Sequence, residues 1–168
     1  MNLSVADLAS LEQVPTEENL NSQTLASFYE QYLCNKIFDY KVRHSVSHIK
    51  LHFKRTDLPH LLGIQYLKTG SHYKGRKGFN ELQSGKLTLS MFKEANLGAY
   101  ESGISRILFF PFIYSLVYEP TCIVFNPQIA RSSINAEFMF YNQKCGRYIH
   151  LGLRKEESTD LYIPVTFI

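Results

Sequence analysis

Residues 136–143, 147–154 and 161–168 place a carboxylate, an imidazole, several phenols and a hydroxyl in register, the groups that move protons in acid–base chemistry. Each segment alternates apolar and polar residues, the period-2 mark of a half-buried strand. On this pattern Phe138, Phe140, Ile149, Leu151, Leu153, Leu161, Ile163, Val165 and Phe167 point inward. The other face carries Glu137, Met139, Tyr141, Tyr148, His150, Tyr162, Pro164 and Thr166. Pairing Phe138 and Phe140 with Leu151 and Ile149 sets Met139 opposite His150. Pairing Ile149 and Leu151 with Val165 and Ile163 sets Pro164 opposite His150 and Thr166 opposite Tyr148. Facing residues then lie about 4.5–5.5 Å apart at Cβ, close enough to share one site. The same pattern also fits a plain sheet face, solvated or covered by a helix, on which His150 is merely hydrogen-bonded.

His60 is the second candidate. It sits between Pro59 and the pair Leu61-Leu62, a rigid setting that suits a capping role or a catalytic one. Two imidazoles could divide proton abstraction and proton donation between them, because histidine titrates near neutrality. The segment Tyr73-Lys74-Gly75-Arg76-Lys77-Gly78-Phe79 surrounds two glycines with three cations and two rings, and reads as a flexible loop able to meet phosphates and stack on bases. Lys77 or Lys74 is placed to offset charge developing on a phosphate. Arg106 falls in an apolar stretch, where a charge is costly unless it is paired or faces a cleft; it also fits an ordinary surface position. His44, His48 and His52 would share a helix face and suggest a metal. The alternation of Ile49, Leu51 and Phe53 argues for a strand instead, which spreads them too widely for one ion. No metal or cofactor is therefore expected, and the HExxH, P-loop, GxGxxG and GxSxG patterns are all missing from the sequence.

The elements that must hold these residues read as helices, then a hairpin, then helices, then an antiparallel sheet. Residues 2–12 and 24–35 carry helical patterns, the second with Leu25, Phe28, Tyr29, Tyr32 and Leu33 on one side. Residues 37–43 and 46–54 form the hairpin, with His48, Lys50, His52 and Lys54 facing outward. Short helices follow at 79–84 and 89–95. A buried helix, kinked or restarted at Pro111, spans 104–117, and a short strand covers 121–125. This is an α+β layout.

Charge is segregated along the chain. Residues 1–35 hold five acids and no Lys or Arg, whereas residues 36–77 hold ten Lys or Arg against two acids, with five of the six histidines. The basic block suggests a polyanion partner, and the acidic segment suggests either a cover for it or a docking site for a protein. The balance also fits an ordinary, mildly basic surface. Three cysteines with no CxxC spacing point to a reduced, cytoplasmic protein. No apolar run is long enough to span a bilayer, so no membrane association is expected.

Phe28-Tyr29 through Leu33, Pro59-His60-Leu61-Leu62-Gly63-Ile64, residues 73–79, Phe125-Asn126, Tyr148-Ile149-His150-Leu151-Gly152-Leu153 and Pro164-Val165-Thr166-Phe167 occur in that order. The series resembles the phage-associated branch of the BECR nucleases, which joins barnase, EndoU, tRNase colicins and RelE. It covers roughly residues 25–168 and leaves residues 1–23 as an acidic helical extension or linker before a nuclease domain at 24–168. The resemblance implies helices packed on an antiparallel sheet of about four strands, here with an added N-terminal hairpin. It further implies metal-independent RNA cleavage through a 2′,3′-cyclic phosphate, often by toxins of mobile elements. The matching motifs fall on His60, Lys77, His150 and Thr166 as catalytic residues. RNA contacts are expected at Lys50, Lys54, Tyr73, Lys74, Arg76 and Tyr148, and an antitoxin or other partner at the acidic segment. The alternative is a nuclease-like module that binds RNA or protein without cleaving.

Overall fold

A computed structural model describes residues 2–43, 48–67 and 73–168. Its sheet has six strands in the order β1-β2-β6-β5-β4-β3, where β1 is Ile37–Lys41, β2 His48–His52, β3 Thr121–Val124, β4 Phe138–Lys144, β5 Arg147–Lys155 and β6 Leu161–Phe167. The α+β class holds, but the expected sheet of about four antiparallel strands is corrected. The hairpin β1–β2 joins the sheet through a parallel pairing of Lys50 with Leu161 and Leu51 with Tyr162, which makes the sheet mixed. β3 adds a further edge. Both additions use short strands, whose few alternating positions leave their partners open in the sequence.

Alternation places Ile49 and Leu51 of β2, Phe140 of β4, and Ile149, Leu151 and Leu153 of β5 in the core. Facing helices complete it: α2 (Ser22–Tyr32) contributes Leu25, Ala26, Phe28 and Tyr29, and α7 (Leu97–Phe109) contributes Ile107. A 3-10 turn at Phe110–Phe112 contains Pro111, and α8 (Ile113–Tyr118) starts after it, so the apolar stretch is broken at the proline. Edge-on ring contacts of Tyr29 with Phe53 and of Phe110 with Phe167 tie helices to strands, as the quadrupoles of stacked aromatics favour.

β6 departs from simple alternation. Gly152 pairs with Thr166 and Leu153 with Pro164, so Val165 is an extra residue between the two pairs. The side-chain phase flips there. Before it Tyr162 packs against the core and Ile163 faces outward beside Arg154; after it Thr166 faces outward and Phe167 is buried. The inward placement of Ile163 and Val165 expected from the sequence is therefore corrected. So is the cross-strand register. His150 stands opposite Tyr141 on β4 and exchanges backbone hydrogen bonds with Ile168, while Met139 and Thr166 flank Gly152.

The basic segment after Tyr73 is not a loop. α5 (Gly75–Gln83) begins inside it and buries Phe79 and Leu82. Gly78 is buried against the Tyr73 carbonyl, and a Cβ there would collide with it. The glycine that reads as flexibility in the sequence instead permits close helix packing.

Candidate functional site

Asp57 opens the short helix α3 (Leu58–Leu61), whose Leu58, Pro59 and Leu61 are buried and whose His60 faces out. The Asp57 carboxylate accepts the Lys54 amide at 2.8 Å. Burial, its dominant influence, raises the pKa above the ordinary aspartate range. The His60 ring is fixed on both sides: its Nε2 lies 2.9 Å from the Val165 carbonyl, and its Nδ1 lies 2.9 Å from the Gln65 side-chain amide. The Val165 carbonyl can only accept, so Nε2 donates to it. The bulge in β6 supplies the carbonyl, so an irregularity in the sheet becomes a clamp on a helix residue.

Asp57 and His60 face a cavity of about 490 Å³. Its opposite walls bring in Arg106 from α7, Arg154 from β5, Thr166 from β6 and Tyr66 from α4 (Ile64–Leu67). Arg106 is half-buried, and its guanidinium lies 5.9 Å from the Tyr66 ring centroid. Among the described residues, no carboxylate forms an ion pair with Arg106 or Arg154. Burial pushes the Arg106 pKa down, yet a guanidinium remains charged across the physiological range. Two unpaired arginines on one concave surface create a strong positive potential, suited to an anion that accepts several hydrogen bonds. Thr166 adds a hydroxyl position, and Gly152 makes room for it: a Cβ at Gly152 would lie 2.8 Å from Thr166 Cγ2.

The family model described as phage-Barnase-EndoU-ColicinE5/D-RelE like nuclease4, PBECR4, matches residues 23–168. The chain belongs to this nuclease family. No curated protein and no solved structure gives a match. The PBECR4 region begins in α2 and contains every residue that lines the cavity.

Of the residues singled out in the sequence, His60, Arg106 and Thr166 meet in the PBECR4 cavity. Lys74 shares with His60, Gln65 and Tyr66 a neighbouring hollow of about 260 Å³. His150 does not line either space. It is half-buried on β5, and its pKa is lowered first by burial and then by the charge of Arg106. Lys77 and Arg76 stand exposed on α5, Lys50 is exposed on β2, and Tyr148 is exposed near the start of β5. Lys54 is paired with Glu156, and Tyr73 packs partly buried against the core. His48 and His52 occupy a strand, whereas His44 lies outside the described residues. Among the described residues, no group of three His, Cys, Asp or Glu side chains is placed to share a metal ion, and no helix is long and apolar enough to cross a membrane.

Sequence reasoning missed Arg154, Tyr66 and Asp57 as site residues. Arg154 was legible as the next outward position after Gly152 on β5. Asp57 precedes α3 in the N-cap position, but its carboxylate makes no cap hydrogen bond to that helix and turns back to the Lys54 amide, and the residue lines the cavity. Tyr66 carries no local signal, since only the fold turns it toward Arg106.

Proposed function

We infer that the chain is an endoribonuclease that holds the scissile phosphate of RNA between Arg106 and Arg154. The observation that carries this reading is the convergence of two arginines, without carboxylate partners among the described residues, on a cavity that also holds Asp57 and His60. Transesterification needs a base to take the 2′-OH proton, an acid to protonate the leaving 5′-oxygen, and positive charge for the phosphorane-like transition state. Asp57 and His60 supply the acid–base pair, and the arginines supply the charge. The product is a 2′,3′-cyclic phosphate, formed without a metal ion. His150 supports Arg106 from behind as a positioning residue, and Thr166 orients the phosphate. Lys74, and beyond it Arg76, Lys77, Lys50 and Tyr148, extend the contact along the RNA; Lys54 would join them by leaving Glu156. A toxin role in phage or mobile-element conflict, action in the cytoplasm and an antitoxin bound at the acidic segment belong to the same reading.

Metal-free cleavage of total cellular RNA in EDTA tests it. Wild-type protein should give discrete fragments ending in cyclic phosphate. His60→Ala and Asp57→Asn should each slow single-turnover cleavage by roughly 10²–10⁴. Wild-type rates in both variants would end this mechanism.

A second reading is favoured by one observation: both ring nitrogens of His60 are already engaged within the protein. Proton transfer through Nδ1 requires Gln65 to swing away. If it does not, the cavity binds RNA phosphate without cleaving. Retention of RNA by the wild-type protein with no cyclic-phosphate ends would establish that alternative.

A further inference from the structure

Next to the phosphate cavity, and sharing Tyr66 and Arg106 with it, lies a hollow of about 300 Å³. One wall is the turn after α3, at Leu62 and Gly63. The other is a face of α7 that presents Ala99, Ser102 and Gly103 before reaching Arg106. Spacings of three and four residues align these positions along the helix, so small side chains leave a slot that ends at a guanidinium. Tyr66 forms the shared rim. It lines this hollow, the phosphate cavity and the smaller hollow beside Lys74, yet 67% of its surface stays exposed. A large exposed ring at the junction of three concave surfaces, with the Arg106 guanidinium 5.9 Å from its centroid, offers a surface on which a flat ligand can stack.

Ser102 adds direction. Its hydroxyl donates to the Gly98 carbonyl at 2.9 Å, which commits its hydrogen to the helix backbone and leaves lone pairs to accept from a ligand. A ligand suited to this place has a flat apolar face for Tyr66, an N–H donor for Ser102 and an anionic group that reaches Arg106 and Arg154. We propose that the hollow is a nucleobase subsite, in which the base beside the scissile phosphate stacks on Tyr66 and turns an exocyclic amine toward Ser102. This rests on the reading of the neighbouring cavity as the phosphate site. The volume falls at the lower end of the range for ligand pockets, roughly 300–1,000 Å³. Adenine, cytosine and guanine carry the exocyclic amine; uracil offers only its ring N3–H, held between two carbonyl oxygens that Ser102 cannot satisfy with its committed hydrogen, so the subsite selects against it.

The test uses short 2′-O-methyl oligonucleotides, which cannot be cleaved, each made of a single base, with an abasic strand of equal length for comparison. Anisotropy titrations on the full chain should show adenine, cytosine and guanine strands bound roughly 5- to 150-fold more tightly than the abasic strand. Tyr66→Ala should lose most of that advantage, and Ala99→Leu, which lies outside the phosphate cavity, should lose it while holding the abasic strand as wild type does. Tyr66→Phe should keep the stacking, and Ser102→Ala should bring uracil level with the other bases. Arg154→Ala, which lies outside the hollow, should weaken all strands alike. Equal wild-type affinity for base-bearing and abasic strands would overturn the subsite and leave the phosphate reading standing. Full base preference in Tyr66→Ala and Ala99→Leu would do the same. A wild-type protein that binds no strand would overturn both.

Discussion

Gly63 has φ of +72°, and a Cβ there would lie 3.1 Å from Arg106 Nη1. A residue without a side chain thus turns the chain between α3 and α4 and seats the guanidinium at the cavity. Gly63→Ala should strain the backbone and displace Arg106 together, lowering stability by about 1 kcal/mol or more in urea unfolding and reducing cleavage as well. Unchanged unfolding would contradict the backbone argument. Burial first, and then the charge of the same arginine, makes His150 resist protonation when folded. The unfolded chain takes up that proton near pH 6.5, so the stability linked to His150 is present above pH 6.5 and is lost as pH falls through the depressed folded pKa. Melting curves recorded on both sides of that pH should therefore show a smaller acid-side loss of Tm for His150→Gln than for wild type. Asp57 has the opposite sign. Its raised folded pKa means that the stability linked to its proton is present below the ordinary value of 3.8 and is lost as pH rises through the folded pKa. The Tm of Asp57→Asn relative to wild type should climb over that window.

At the scale of elements, the β6 bulge governs both packing and legibility. Gly152 and Thr166 are opposed across the β5–β6 ladder, and the Thr166 methyl occupies the space a Cβ at 152 would need. Gly152→Ala should cost roughly 1–3 kcal/mol by overpacking. Adding Thr166→Ser, which removes that methyl, should recover most of the loss in chemical denaturation; additive effects would show that Ala136 or Val165 sets the clash instead. The alternation of β5 was readable because Ile149, Leu151 and Leu153 keep one phase; on β4 Met139, expected on the polar face, is buried beside Phe140. That of β6 was not readable, because an inserted residue changes which side chains face inward without changing their types. His60 and Thr166, which motif and position singled out, both line the cavity. Arg154, the next outward position after Gly152 on β5, lines the same cavity, whereas Lys77 stands exposed on α5 and does not line it.

Across the whole molecule, the acidic first segment is built into the fold. Ser4 caps α1 (Val5–Ala9) through Asp7, and Leu8 and Leu20 enter the main core. Glu17 accepts a hydrogen bond from Tyr100 at 3.1 Å and lies 3.5 Å from Lys93, so some of its charge is spent on α6 (Leu89–Ala95) and α7. Leu8→Ala should lower unfolding free energy by roughly 2–5 kcal/mol, the range for a buried leucine. A loss well under 1 kcal/mol would mean that α1 is peripheral.

The parallel seam between β2 and β6 joins Lys50 to Leu161 and Leu51 to Tyr162 across most of the chain. Loop-closure entropy must be met before such distant contacts give any return, so this seam belongs to the slow end of assembly. The cavity draws its walls from both sides of that divide, with Asp57 and His60 just after β2 and Thr166 on β6. Helices can form early in refolding, but the arginines, the imidazole and the hydroxyl meet only when the last strand docks. On the proposed function, recovery of phosphate binding should consequently lag behind recovery of helical circular dichroism, which makes the site a clock for completed folding.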